Sequence, residues 1–467
     1  MNISIEQSEI TKLSKELEMF STLVDLYSKG RVSEHLFVSE VNRIENIDWK
    51  KENMFNQLLA YTVLASAYCT LKCKKLDYSQ AYYTDEYVYK EISYYHNVQY
   101  IVARVSKEQW AALYNTAFHI YCRVYLYLAN AYDHIGRFCE AQQYYQLAML
   151  DDCNTKGVEI NQGYSYANMH AFWEHEEPWI VKRAQNLLTK YSKESEENLR
   201  NLCEMVCSWH VPSFEMPKVD FSKIPNGDYE SWVNENYLRI NRYCDVDAYS
   251  LLSLKDNVYI KRVCATKDKA ELFKTMYSEI HESFVQTRRK IYDVLHLQED
   301  FDTEQLKMGY KNIYSILDKI AMFLSVYLDL PIQPHKVDFA TIWIDKSRKN
   351  IHPKILACKN NLSLLALYNI KLDIYGSDFA DYIIDEQTKD LKRIRNFLEH
   401  KFVKVQEGAM TYNDFQLRIS KNELSLNTIR LAQLVRCAII YLCNFVMHAE
   451  YDKSALNRHQ GQHPRYF

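Results

Sequence analysis

The sequence predicts an all-α protein with two regions, a run of paired helices followed by a helical bundle. Three observations carry that reading. Nine glycines and eight prolines in 467 residues fall far below the roughly 12% of average usage. Apolar residues recur at helical spacing through long stretches. The breakers also cluster, with Pro212, Pro217, Pro225 and Gly227 close together, so that helices on either side end there. Strand-rich folds need turn residues at every hairpin, and phosphate-cradling loops need glycine. The composition therefore gives poor support to a β-sandwich, a propeller, a Rossmann unit or a P-loop NTPase. We read residues 1–210 as the first helical domain, 211–265 as a connecting region and 266–455 as the bundle. Residues 456–467, with HQGQHPRYF after Asn457 and Arg458, read as a flexible tail, and Val258 to Ala265 as a short strand in the connection.

Charge narrows the function. The 57 Lys and Arg nearly balance 60 Asp and Glu, for a net charge of −3, which argues against a protein that coats DNA. The start, MNISIEQSEITKLSKELEMF, has no apolar core of the kind a secretory leader carries. The most apolar stretch, Cys437 to Ala449, falls short of the roughly 18–20 residues of a membrane span. Twelve scattered cysteines fit reduced thiols, so a cytoplasmic location away from membranes is expected. Cys69 and Cys73 lie four apart, as do Cys203 and Cys207. No set of Cys or His has the spacing of a zinc site, and small apolar cysteines in helix cores explain both pairs. No metal and no cofactor are expected.

Ahead of the proline cluster, the stretch from Tyr127 to Leu150 stands out. Leu128, Ala129 and Tyr132 mark one helical face, Gly136 a turn, and Ala141, Tyr145 and Ala148 the next face. This resembles a tetratricopeptide repeat, in which small residues let paired helices approach and aromatics fill the gaps. Ala129 and Cys153 depart from that pattern, where Gly and Pro are usual. Leu64-Ala65-Ser66-Ala67-Tyr68 echoes Leu128 to Tyr132. The resemblance implies a surface that binds peptides or partner proteins.

Beyond residue 265 the sequence reads as helices over Ala270 to Leu297, Thr303 to Leu330, Leu362 to Ile374 and Leu426 to His448, with a break at Pro331 and Pro334. Between the last two lies the informative segment, Asp385 to Val405. Leu391, Ile394, Leu398 and Phe402 form one apolar helical face. Asn396 and His400 are neighbours four apart, as are Arg395 and Glu399, and His400 points almost opposite the apolar face. Lys392, Arg393, Arg395, Lys401 and Lys404 make the segment basic, and Phe397 sits in its polar side as though that side met another surface.

Arg395-Asn396-Phe397-Leu398-Glu399-His400 resembles the signature of the HEPN superfamily, helical domains that carry Arg, a polar residue, a few spacers and then His. The order of helices around it resembles the bacterial type that follows an N-terminal helical-repeat region. The resemblance implies a metal-independent endoribonuclease acting as a homodimer or higher homo-oligomer on RNA such as tRNA or mRNA. It implies catalytic roles for Arg395, Asn396 and His400. In bacteria it further implies a toxin of antiviral or stress defence, restrained by the N-terminal repeats until a protein partner or phage component binds.

The chemistry fits these residue types. A histidine, with an ordinary pKa near ~6.5, can take or give a proton at neutral pH. Arginine offers a permanent forked cation to the growing phosphate charge, and Asn396 can hold an imidazole or a phosphate oxygen. Arg395 and His400 lie about 140° apart on an ideal helix, so a two-fold axis would gather both pairs in one cleft, with Phe397 at the seam. Glu399 is a candidate to orient Arg395, and Asp318 a candidate supporting acid inside the bundle. Arg288 and Arg289 add candidate phosphate contacts. The alternative is a non-catalytic adaptor or scaffold that dimerises and binds a partner protein or a nucleotide.

Overall fold

The structure is a computed structural model that describes residues 7–75, 83, 86–102, 123–150, 155–172, 178–191, 197–210, 228–248, 250–261, 263, 266–296, 302–345, 350–376 and 388–459. The proline cluster of 211–227 and residues 460–467 lie outside the described residues. The chain divides into two compact units, Met1–Ser165 and Tyr166–Phe467. That division falls inside a helix (Thr155–Phe172), not at the boundary of 210 read from the prolines.

The first unit contains α1 (Gln7–Ser28), α2 (Glu34–Glu45), α3 (Met54–Lys75), α4 (Glu86–Val102), α5 (123–134) and α6 (Phe138–Leu150), and α7 (Thr155–Phe172) crosses the division. Leu17, Phe20, Val24 and Tyr27 recur every three or four residues along α1, and all bury against Phe37, Val41 and Ile44 of α2 and Leu64 and Tyr68 of α3. Gly30, at φ +71°, closes α1, and Ser33 accepts a hydrogen bond from the Leu36 amide to open α2.

Polar groups are buried here in pairs. Lys72 and Glu91 meet at 2.5 Å between α3 and α4, both almost fully buried. Tyr68 and Tyr94 stack and each donates a hydrogen bond of 2.7 Å to Glu45. Many tyrosines suit such packing, because the ring is apolar and the hydroxyl still finds an acceptor.

The α5–α6 turn follows the expected pattern. Leu128, Ala129, Tyr132, Ala141, Tyr145 and Ala148 are all buried, and Tyr145 donates to Asn130 at 2.7 Å. Gly136 sits at φ +78°, a conformation that costs an L-residue roughly 1–2 kcal/mol. Gly136→Ala should therefore lower the unfolding free energy by about 1 kcal/mol, read from denaturant titration. An unchanged midpoint would mean that this turn relaxes.

The second unit contains α8 (Pro178–Tyr191), α9 (Glu197–Ser208) and α10 (Asp228–Glu235). These precede α11 (Lys267–His296), α12 (Thr303–Tyr327), the one-turn α13 (Pro353–Leu356), α14 (Leu362–Tyr375), α15 (Lys389–His400) and α16 (Lys421–His459). Asp302 caps α12 and Asn361 caps α14, each accepting two backbone amides. Gly309 brings α12 close to α11: a Cβ there would stand 3.0 Å from Ile291. α14 is buried on every side from Ser363 to Ile374.

α16 packs against α11, α12, α14 and α15 and is the core of the bundle. Its stretch Lys421–Tyr451 is long and apolar enough to cross a membrane, longer than the sequence reading allowed, and 83% of its most apolar window is buried in the bundle.

Two departures from the sequence reading stand out. The helix carrying Arg395 stops at His400, where Lys401 turns extended, and a small sheet follows. Its strands are β1 (Phe402–Val405), β2 (Thr411–Tyr412) and β3 (Gln416–Ile419), ordered β1-β3-β2, with β1 parallel and β2 antiparallel to β3. Phe402 thus belongs to no helical face; it lies on a strand and is 73% exposed. The Phe-Val-Lys-Val and Gln-Leu-Arg-Ile alternation has the strand period of two. Secondly, the described residues of Val258 to Ala265 form no strand. Val258 instead accepts a hydrogen bond from Tyr277 of α11.

The segment before α11 is held to the bundle by two buried arginines. Arg288 of α11 makes two hydrogen bonds to Asp256, of 2.9 and 2.8 Å, and a third to the Leu238 carbonyl. Arg436 of α16 bonds Asp245 and the carbonyls of Arg239 and Asn241. Burial by itself raises Asp256, but the Arg288 guanidinium outweighs it and holds the carboxyl below its usual range.

Candidate active site

α15 is a short helix with one strongly apolar side. Leu391 and Ile394 are fully buried, and Phe397, one turn on, is 5% exposed. Leu398 is only half-buried, so the face turns toward Phe397 rather than running through Leu398 to Phe402. The surface that Phe397 meets is this chain's own sheet: it packs edge-on against Tyr412, with ring centres 6.4 Å apart. The expectation that Phe397 lies at a seam between two chains is corrected accordingly. Tyr310 of α12 anchors the helix by donating to the Leu391 carbonyl at 2.7 Å. Lys307 donates to the Val403 carbonyl at 2.9 Å and ties β1 to α12.

Arg395 is half-buried and lies over the Tyr314 ring of α12, 5.4 Å from its centre. Tyr314 and Tyr375 hydrogen-bond to each other with their rings edge to face, and burial pushes both hydroxyls well above their ordinary pKa. Lys392 lies over Tyr375 at 5.4 Å. Two cations therefore rest on a pair of aromatic faces, which attract positive charge.

Asp318, one turn along α12 from Tyr314, accepts the Phe339 amide at 3.1 Å. Burial raises its pKa, and the nearby Asp338 adds to the shift; the amide and the Arg395 charge offset some of it. A carboxyl raised above its unfolded pKa costs stability at neutral pH, and the cost fades as pH falls. Asp318→Asn should thus hold or raise the melting temperature at pH 7, with a smaller difference at pH 5. A lower melting temperature at pH 7 would mean that attraction to Arg395 outweighs burial.

Asn396 accepts a hydrogen bond from Arg395 at 3.3 Å. It makes no bond to His400, although the two are four apart. His400 is exposed at the C-terminal end of α15. The structure thus brings Arg395 and Asn396 together with Tyr314, Tyr375 and Asp318, and leaves His400 facing solvent. Glu399 does not orient Arg395; it lies 3.8 Å from Lys311. Among the described residues no three His, Cys, Asp or Glu converge as a metal site.

With this geometry in view, residues 269–450 match the family model for LA2681-like HEPN. The C-terminal bundle is a HEPN domain. No curated protein and no solved structure matches the chain.

Within the HEPN domain the weaker candidates separate cleanly. Arg288 is 2% exposed and committed to Asp256, Leu238 and Tyr229, so it is a structural anchor rather than a phosphate contact. Its sequence neighbour Arg289 is exposed, pairs with Asp293 at 3.1 Å and stacks on Tyr229. Arg393 is half-buried, ion-paired with Asp390 and 4.3 Å from the Tyr412 ring centre. Lys401 lies over Phe397 at 4.8 Å, and Lys404 is exposed on β1.

Sequence reasoning missed Tyr314 and Tyr375, because a tyrosine on an apolar helix face looks like any other core residue. It also missed the sheet, whose signal was the period-two alternation after His400.

Proposed function

We propose that this protein is a metal-independent endoribonuclease that works as a homodimer, with Arg395, Asn396 and His400 as its catalytic residues. The observation that carries the reading is Arg395-Asn396-x3-His400 along one helix of a HEPN domain, with His400 at its exposed end. The RNA 2′-hydroxyl gives up its proton and attacks the adjacent phosphorus. The bond to the 5′-oxygen breaks, leaving a 2′,3′-cyclic phosphate and a protonated 5′-hydroxyl. One imidazole takes the first proton and another supplies the second, which a two-fold pair of His400 residues provides. Arg395, held on Tyr314, stabilises the charge growing on the non-bridging oxygens.

The N-terminal helical unit acts in this reading as the sensor that restrains cleavage until a protein or phage component binds. The role is that of a cytoplasmic effector in antiviral or stress defence. The test is to incubate wild type and His400→Ala with total RNA and tRNA in EDTA and to map the ends. Cleavage by wild type alone, leaving cyclic or 3′-phosphate ends, supports the enzyme. If both are silent and expression of either leaves growth equal with and without phage, the non-catalytic adaptor takes its place.

A further inference from the structure

The three-stranded sheet begins two residues after His400, and its outer surface has a composition that the bundle does not require. Phe402 and Phe415 are 73% and 74% exposed, and the Phe402 amide donates to the Phe415 carbonyl at 3.1 Å, so the two rings spring from adjoining backbone. Neither ring has an aromatic partner among the described residues. Phe402 adds nothing to the core beneath, which Leu417 and Ile419 fill from the opposite face of β3; Phe415, two residues before Leu417, stands just ahead of β3 on that other side.

The second observation is charge. Lys404 on β1 and Arg418 on β3 are register partners in the parallel pair, both exposed, and neither has an acidic partner among the described residues. Like charges side by side on a sheet destabilise it, and an anion lying across both relieves that repulsion. Phe402 shares the outward face of β1 with Lys404, two residues away. Lys401 and His400 adjoin at the strand's start. Of the acids nearby, Glu407 and Asp414 lie in the connecting turns, Glu304 pairs with Lys307, and Glu399 lies 3.8 Å from Lys311.

An exposed ring beside paired cations on a sheet matches one ligand chemistry, unpaired bases on a phosphate backbone. We propose that this face is a single-stranded RNA subsite, with a base stacking on Phe402 and phosphates bridging Lys404 and Arg418, leading the strand to His400. Base–aromatic stacking tolerates any base, and duplex bases cannot reach the ring. The subsite rests on the nuclease reading only for what happens to the strand once bound.

The test uses the full-length chain carrying His400→Ala, so that cleavage does not consume the probe. Fluorescence anisotropy compares a labelled 12-nucleotide single-stranded RNA with its duplex. The single strand should bind tighter. Phe402→Ala should weaken single-strand binding about fivefold or more and leave duplex binding unchanged, and Phe415→Ala, off that face, should leave both unchanged. Lys404→Gln with Arg418→Gln should flatten the salt dependence by roughly 1.4 in logarithmic slope. The four side chains are exposed, so unchanged circular dichroism separates these effects from misfolding.

An unchanged affinity for Phe402→Ala overturns the subsite, even where the wild type cleaves RNA. So does conversion of a wild-type dimer to a monomer by the same variant, which makes the face a contact between copies. Ring-dependent binding by a chain that never cleaves supports the subsite and removes the nuclease reading alone.

Discussion

His400→Ala protein is expected to cleave RNA at least about 100-fold more slowly than wild type, the usual size of a lost general acid–base group. Its melting temperature should scarcely move. His400 is exposed and has no hydrogen bond or ion pair among the described residues, and substitutions at such positions change stability by no more than about 0.5 kcal/mol. That separation gives the experiment its force, because lost cleavage in an intact fold assigns chemistry to one imidazole. Arg395→Lys should also fall at least about tenfold. Lysine keeps the charge but loses the flat guanidinium that stacks on Tyr314 and reaches Asn396. Equal rates for wild type and His400→Ala would remove the proposed site altogether.

The largest effect on stability is expected at Arg436→Ala, about 3–5 kcal/mol. Arg436 is 0% exposed and Asp245 1%. Their nitrogen and oxygen stand 2.7 Å apart, and the same guanidinium bonds the carbonyls of Arg239 and Asn241. Truncating the arginine removes the cation that balances a buried carboxylate and takes a donor from the Asn241 carbonyl, while the Arg239 carbonyl keeps the Asn241 amide; the lost partners leave desolvation cost behind. The double variant Arg436→Met with Asp245→Leu should recover some of the loss, because an apolar pair of similar volume removes the stranded charge. The Asn241 carbonyl still lacks the Arg436 donor, so recovery stays incomplete. Denaturant unfolding of the three proteins reads this directly. A loss under about 1 kcal/mol for Arg436→Ala would mean that water enters and solvates Asp245.

How legible the molecule was depended on the kind of signal. The long helices α11, α12 and α16 and the buried α14 appear in the sequence because their apolar residues repeat with the helical period over many turns. The turn at Gly136 appears because only a residue at ease with positive φ ends one helix and starts the next within three positions. Arg395, Asn396 and His400 were found through a pattern of residue types within one helix, which needs no tertiary knowledge. The sheet was read as helix because Phe402 falls in step with Leu398 and Ile394, and a short apolar run satisfies either period.

Other features depend on groups far apart in the chain. Arg288 and Arg289 are adjacent and chemically alike, yet one is buried against Asp256 and the other faces solvent. A helix rotates about 100° per residue, and only the position of the segment 238–256 says which of the two it meets. Asp245 waits almost two hundred residues for Arg436, and Arg395 finds Tyr314 on another helix.

The amino-acid sequence alone determined that this chain is helical, that its second half is a HEPN bundle and that its Arg–Asn–His series lies on one helix, because periodicity and local motifs are properties of neighbours. The tertiary structure decided which cations are buried anchors and which face solvent, what covers Phe397, and where His400 faces. Those outcomes are set by packing between distant segments, where burial and partner geometry outweigh any local preference.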